Sequence, residues 1–150
     1  MTRAFLALGS NIGDRRAQLR RAVAALPDLV AVSALYETDP VGGPAQDDYL
    51  NLVVQLETRS TPRELLARCQ ELEAAAERRR LVRWGPRTLD VDVLLVGDDV
   101  VADDDLIVPH PRMHERNFVM VPLLSLDPTI EVPGYRPDRA IGTVRSVGPL

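Results

Sequence analysis

The sequence predicts an α+β fold with a ferredoxin-like βαββαβ core and a mostly antiparallel sheet. Three observations carry this prediction. Short apolar or alternating runs of strand length recur at residues 4–8, 29–35, 49–56 and 89–96. Two segments with a helical apolar period, each opened by a capping residue, follow the first and third of these runs. The resulting order, strand, helix, strand, strand, helix, strand, is that of the split βαβ arrangement.

The first strand ends at Gly9-Ser10-Asn11, which reads as a turn. Gly9-Ser10-Asn11-Ile12-Gly13-Asp14 superficially resembles a phosphate loop but lacks its glycine spacing and its Lys-Ser/Thr ending. Asp14 is placed to cap the first helix, on which Leu19, Ala22, Val23 and Leu26 share a face, and Pro27 stops it. Residues 29–35 read as the second strand, and Asp39-Pro40-Val41-Gly42-Gly43-Pro44 is a loop by composition. On residues 49–56, Leu50, Leu52, Val54 and Leu56 share one face while Tyr49, Asn51 and Val53 share the other. Thr61-Pro62-Arg63-Glu64 has the form of a capping box with Pro at the first helical position, and Leu65, Cys69, Leu72 and Ala76 then point inward. On the fourth strand Asp90 and Asp92 are two apart, so both point to the same side. A later helix is expected over Asn117–Leu126, shortened or bent by Pro122. Residues 127–150 are rich in Pro and Gly and predict a loosely packed tail. Elements beyond the core add strands or cover the second face, giving α/β/α layers in a single domain over 1–150.

Composition narrows the function. At 45% hydrophobic and 27% charged, the chain of 150 residues can bury a real core. Its net charge of −4 argues against a nucleic-acid partner. All 18 basic residues are Arg, which excludes a Walker-type phosphate lysine and a Schiff base. Cys69 is the sole cysteine, so no internal disulfide forms, and it reads as a small core residue. There is no signal-peptide pattern and no apolar run of about 18 residues, so the expectation is a cytoplasmic, soluble protein with no membrane partner.

The chemistry-bearing segment is 78–92. Arg78, Arg80, Arg83 and Trp84-Gly85-Pro86-Arg87 run directly into Asp90 and Asp92. Fixed guanidinium groups suit phosphate oxygens and paired carboxylates suit magnesium, so a magnesium-bound polyphosphate suits both. The plain alternatives are two surface acids on a solvent-facing strand and a solvated helix end, where cations also favour the C-terminal dipole. Those account for one or two of Arg78, Arg79 and Arg80 but not for Arg83 and Arg87 bracketing a Gly-Pro turn, which suggests a loop closing over an anion. Tyr49, Asn51 and Phe118 suit a planar heterocycle, through stacking and an amide edge, although Tyr and Phe are commonly core residues. His110, in Pro109-His110-Pro111, suits a phosphate or ribose, or is simply a loop histidine bonded to backbone.

Together these residues resemble the 6-hydroxymethyl-7,8-dihydropterin pyrophosphokinase family of folate biosynthesis. The resemblance runs from about Leu6 to about Leu124. It includes Leu8-Gly9-Ser10-Asn11, Tyr36-Glu37-Thr38, Asp48-Tyr49-Leu50-Asn51 and Glu73. Its most specific parts are Arg83-Trp84-Gly85-Pro86-Arg87 with Asp90-x-Asp92, and Val108-Pro109-His110-Pro111 with Arg116-x-Phe118. It implies transfer of the β,γ-diphosphate of ATP to a pterin hydroxymethyl group, with release of AMP. It implies that Asp90 and Asp92 hold two magnesium ions and that Arg78, Arg80, Arg83 and Arg87 hold phosphates, Arg78, Arg80 and Arg87 acting in catalysis. It implies a pterin between Tyr49 and Phe118, with Thr38 and Asn51 bonding its edge and Pro40 and Val41 beside it. Gln70, Glu73, Trp84, His110 and Arg116 fall with ATP. The implied protein is a monomer whose partners are these small molecules. Two positions depart from the family pattern: Glu77 stands where the family usually has Gly, and Val41 where a bulkier apolar residue is often found. Rival readings are an Asp-x-Asp nucleotide-sugar transferase, which leaves Arg-Trp-Gly-Pro-Arg unexplained, and an RNA-binding or regulatory module. The latter displays stacking aromatics where this chain has Asp90 and Asp92.

Overall fold

The computed structural model describes residues 1–38, 48–76 and 89–150. It combines helices with an antiparallel sheet, as an α+β fold requires. The central strand β1 (Thr2–Ser10) is apolar on both sides, with Leu6 and Leu8 in one core cluster and Phe5 in another. Such a strand must be covered on both faces, which dictates the rest of the architecture. Strand β4 (Tyr49–Thr58) pairs with it antiparallel from Thr2↔Thr58 to Ser10↔Leu50. Strand β5 (Asp90–Val96) pairs on its other side, ending at Gly9↔Asp90.

Helix α1 (Arg15–Ala24) begins where Asp14 accepts the Ala17 N–H at 3.1 Å. Helix α2 (Pro62–Ala75) has the full capping box: Thr61 Oγ1 accepts from the Glu64 N–H at 3.1 Å, and Glu64 Oε1 accepts from the Thr61 N–H at 2.9 Å. Both helices cover one face, burying Leu19, Ala22, Leu65, Cys69 and Leu72 against Leu8, Leu52 and Val93. Helix α3 (Asn117–Leu126) covers part of the other face, where Val119, Met120 and Leu123 meet Phe5, Val53 and Leu94. Pro122 is accommodated inside α3 without shortening it from the expected span.

Three features differ from the sequence reading. The second strand is broken: β2 (Leu29–Val32) and β3 (Tyr36–Thr38) both pair with β4, offset by one residue. Ser33 makes the break, its Oγ accepting the Val53 N–H at 2.9 Å in place of a ladder carbonyl. A hairpin of β6 (Val101–Ala102) and β7 (Ile107–Val108) forms in the acidic stretch, with Arg63 of α2 bonded to both Asp103 and Asp105. The segment from Asp127 onward is not a loose tail. Its last strand, β8 (Val144–Ser146), pairs with β3, Val147 and Gly148 exchange backbone bonds with Leu35, and Arg145 reaches Asp48 at 3.0 Å. These long-range backbone bonds have no local sequence signature. Among the described residues, the main sheet has six strands in the order β5-β1-β4-β3-β8, with β2 beside β4. Among the described residues, no helix is long and apolar enough to cross a membrane.

Candidate active site

The register places three positions in one row across the sheet. Asn51 of β4 lies opposite Gly9 of β1, and Gly9 lies opposite Asp90 of β5. The next row, one pleat further in, is Val53, Ala7 and Asp92. Directly paired residues point to the same side, so Asn51, Asp90 and Asp92 all lie on the α3 face. With strands about 4.8 Å apart, Asn51 and Asp90 stand roughly 10 Å apart with only a glycine between them.

At the Asn51 end the polar groups are buried and matched. Thr38 is 1% exposed and Asn51 7% exposed, and Asn51 Nδ2 donates to Thr38 Oγ1 at 2.7 Å. A buried amide without such a bond is costly, so this pair fixes the Asn51 orientation. Its Oδ1 is aimed over Gly9, where an added β-carbon lies 2.7 Å from that oxygen and 3.6 Å from Tyr49 Cδ1. Gly9 therefore sits inside β1 rather than in the turn after it, and its missing side chain is what makes room for the Asn51 amide beside Tyr49. The sequence reading missed it, although a glycine inside a strand commonly marks such a close approach.

At the other end, Asp90 is half-buried and Asp92 exposed. Two same-facing carboxylates on a strand suit a hard cation that completes its shell with water and phosphate oxygens. No group of three His, Cys, Asp or Glu side chains suited to a metal ion occurs among the described residues. The donor set thus fits magnesium held jointly with substrate rather than a closed protein cage. Glu73 lies on α2 beside the outer edge of β5, where its Oε2 accepts the Val91 N–H at 3.0 Å. Gln70, about one turn earlier, is exposed. Burial pushes the Cys69 thiol up, with Asp92 and then Glu73 adding to the effect, so this buried cysteine is inert.

Arg116 and Phe118 stand at the start of α3, the guanidinium carbon 5.7 Å from the ring centroid. Phe118 is partly buried against the α3-side cluster. His110 follows β7. Its N–H donates to the carbonyl of Leu94 at 3.0 Å, and its Nδ1 accepts the Arg112 N–H at 3.1 Å. Burial, then Arg116 and Arg112, lowers its pKa to about 4, so the ring is neutral at pH 7. With Nδ1 an acceptor, its proton sits on Nε2 as a donor.

Among the expected site residues, Thr38, Tyr49 and Asn51 are thus gathered at one end of the sheet, with Asp90 and Asp92 across Gly9 from them. The expectations placed on Pro40, Val41, Glu77, Arg78, Arg80, Arg83, Trp84 and Arg87 lie outside the described residues.

A buried amide–hydroxyl pair and a carboxylate pair at one end of the sheet suit an enzyme that joins two small substrates, one planar and one anionic. Comparison with known proteins gives the family. The model of 7,8-dihydro-6-hydroxymethylpterin-pyrophosphokinase matches residues 5–128. The chain is 49% identical over 133 residues to the 2-amino-4-hydroxy-6-hydroxymethyldihydropteridine pyrophosphokinase of Bacillus subtilis, covering 85% of this chain and 80% of that one. It is 48% identical over 139 residues to the enzyme of the same name from Methylorubrum extorquens, covering 89% and 88%. With that of Haemophilus influenzae it shares 40% over 138 residues, covering 89% and 86%. The chain belongs to the 7,8-dihydro-6-hydroxymethylpterin-pyrophosphokinase family and is a transferase enzyme.

Proposed function

We propose that this enzyme transfers the β,γ-diphosphate of ATP to the hydroxymethyl group of 6-hydroxymethyl-7,8-dihydropterin, releasing AMP, in tetrahydrofolate biosynthesis. The observation that carries the reading is the Asn51–Gly9–Asp90 row. Thr38 and Asn51 bond the pterin edge, Tyr49 and Phe118 bracket its ring, and the hydroxymethyl arm lies along the gap at Gly9 toward Asp90 and Asp92. Gln70, Glu73, Arg116 and the Nε2–H of His110 serve ATP. Pro40 and Val41 complete the pterin side, and Trp84 the nucleotide side. Arg78, Arg80, Arg83 and Arg87 hold the phosphates.

The hydroxyl oxygen attacks the β-phosphorus, the bond from that phosphorus to the α,β-bridging oxygen breaks, and AMP leaves with that oxygen while the hydroxyl proton is lost. Two magnesium ions on Asp90 and Asp92, when bound, neutralise the triphosphate charge. The arginines offset the charge that grows on the α and γ oxygens. Around this chemistry we infer a ferredoxin-like core, since strands β5, β1, β4 and β3 stand in the split-βαβ order. Helices on both faces make it an α/β/α single domain over 1–150, read as a cytoplasmic monomer. Incubation with ATP, magnesium and the reduced hydroxymethylpterin, followed by nucleotide analysis, tests the reaction. AMP in equal amount to pterin diphosphate is the expected result, whereas ADP means single phosphoryl transfer and defeats the proposal.

A further inference from the structure

The family match stops at residue 128, yet the chain beyond it is built onto the candidate site. Asn117 lies between Arg116 and Phe118, in the first turn of α3. The first N–H groups of a helix need acceptors from outside it, and Arg116, at the N-cap position, supplies no side-chain cap. The C-terminal segment supplies one instead. The Asn117 N–H donates to the Ile141 carbonyl at 2.9 Å, and the Ile141 N–H donates to the Glu115 carbonyl at 2.8 Å. The Asn117 side chain is committed to the same segment. Its Nδ2 donates to the carbonyls of Pro137 (3.2 Å) and Ala140 (3.3 Å), and its Oδ1 accepts the Tyr135 hydroxyl at 2.8 Å.

The segment then runs from Phe118 to the strand that carries Thr38. Gly142, at φ 107°, turns the chain directly after Ile141 and lies against Phe118, whose Cδ1 is 3.6 Å from where its β-carbon would be. Two residues later Val144 of β8 pairs with Thr38 of β3. One short strap therefore joins the residue beside Phe118 to the strand that carries Thr38.

We propose that Asn117 is a positioning residue: through the 135–144 strap it holds Phe118 at a set distance from Thr38 and so sets the width of the pterin slot. This rests on the substrate reading above, which gives Phe118 to the pterin. The bonds concerned are few and near the surface, while Val119, Met120 and Leu123 anchor α3 independently, so losing them frees the helix start without unfolding the chain.

The test is steady-state kinetics of the full chain carrying Asn117→Ala, well below its melting temperature. The pterin KM is expected to rise about tenfold, from loss of several modest hydrogen bonds, with the ATP KM within about twofold. Tyr135→Phe, which removes a single hydroxyl and serves if the first variant does not fold, should raise the pterin KM about threefold. A lower melting temperature with unchanged pterin KM in both variants, or equal rises in both substrates' KM, makes Asn117 a structural staple and overturns the inference. Phe118→Ala separates the two readings. If it leaves the pterin KM unchanged, the substrate assignment falls and the positioning role with it. If it raises that KM while Asn117→Ala and Tyr135→Phe do not, only the positioning role falls.

Discussion

The two faces of the sheet share one alternation but differ at one end. Under α1 and α2, the middle of the sheet is apolar: Leu50, Leu52, Val54 and Leu56 of β4 and Val91, Val93 and Val96 of β5 are all buried, and polar Ser10, Glu37 and Thr58 lie only toward the strand ends. Under α3 the same strands are apolar at Val53 and Leu94, then turn polar at Asn51, Asp92 and Asp90. The first face stabilises the fold by burial. The second keeps Asn51 and Val53 buried on β4 but gives up burial on β5, where Asp90 is half-buried and Asp92 exposed. Activity and stability should therefore separate by face.

The largest expected effect is on stability. Leu19→Ala, on the α1–α2 face, should cost about 3 kcal/mol in urea unfolding by emptying a site that is 0% exposed. Turnover measured well below the melting temperature should hold; a matching loss of turnover would mean that the faces are not independent. Next is Asp92→Asn, expected to lower kcat/KM for magnesium-ATP about a hundredfold, equivalent to about 2.7 kcal/mol, from loss of the charge proposed above to hold metal. Its melting temperature should barely move, since Asp92 is exposed. Unchanged kinetics would put the metal elsewhere. The smallest is Gly9→Ala. A methyl there collides with Asn51 Oδ1 and should turn the amide away from Thr38, raising the pterin KM about tenfold. Stability should fall by about 1–2 kcal/mol, since Ala suits a strand better than Gly but the buried Thr38–Asn51 pair is left unmatched. A large stability loss without a change in KM would make Gly9 purely a packing residue.

Much of this was legible in the residues alone. Apolar period marked β1, β4, β5 and the inward faces of α1 and α2, and Thr61 with Glu64 announced the start of α2, because these signals are local. What escaped was set by distant contacts. Ser33 breaks a strand only because its hydroxyl meets the Val53 N–H across the sheet. Strands β6 and β7, of two residues each, are too short to show a period. The segment after Asp127 is held by Leu35, Asn117 and Asp48, far away in sequence. Of the candidate site, the shared side of Asp90 and Asp92 was legible from their spacing, and Thr38 and Asn51, both singled out by the resemblance, stand within hydrogen-bond distance. The role of Gly9 was not, since it depends on register, which places Asn51 and Asp90 to either side of it.

The rims of the sheet carry one more lesson. The outermost strand on one flank, β5, has its outward Val91 amide occupied by the Glu73 carboxylate. The opposite flank closes with β8, three residues long and bearing Arg145 tied to Asp48. A neighbouring molecule looking for a template on which to lay down an extra strand meets a plugged donor on one side and a short, charged stub on the other. The Glu73 carboxylate, proposed above to serve the nucleotide, thus also covers a strand donor that would otherwise invite edge pairing.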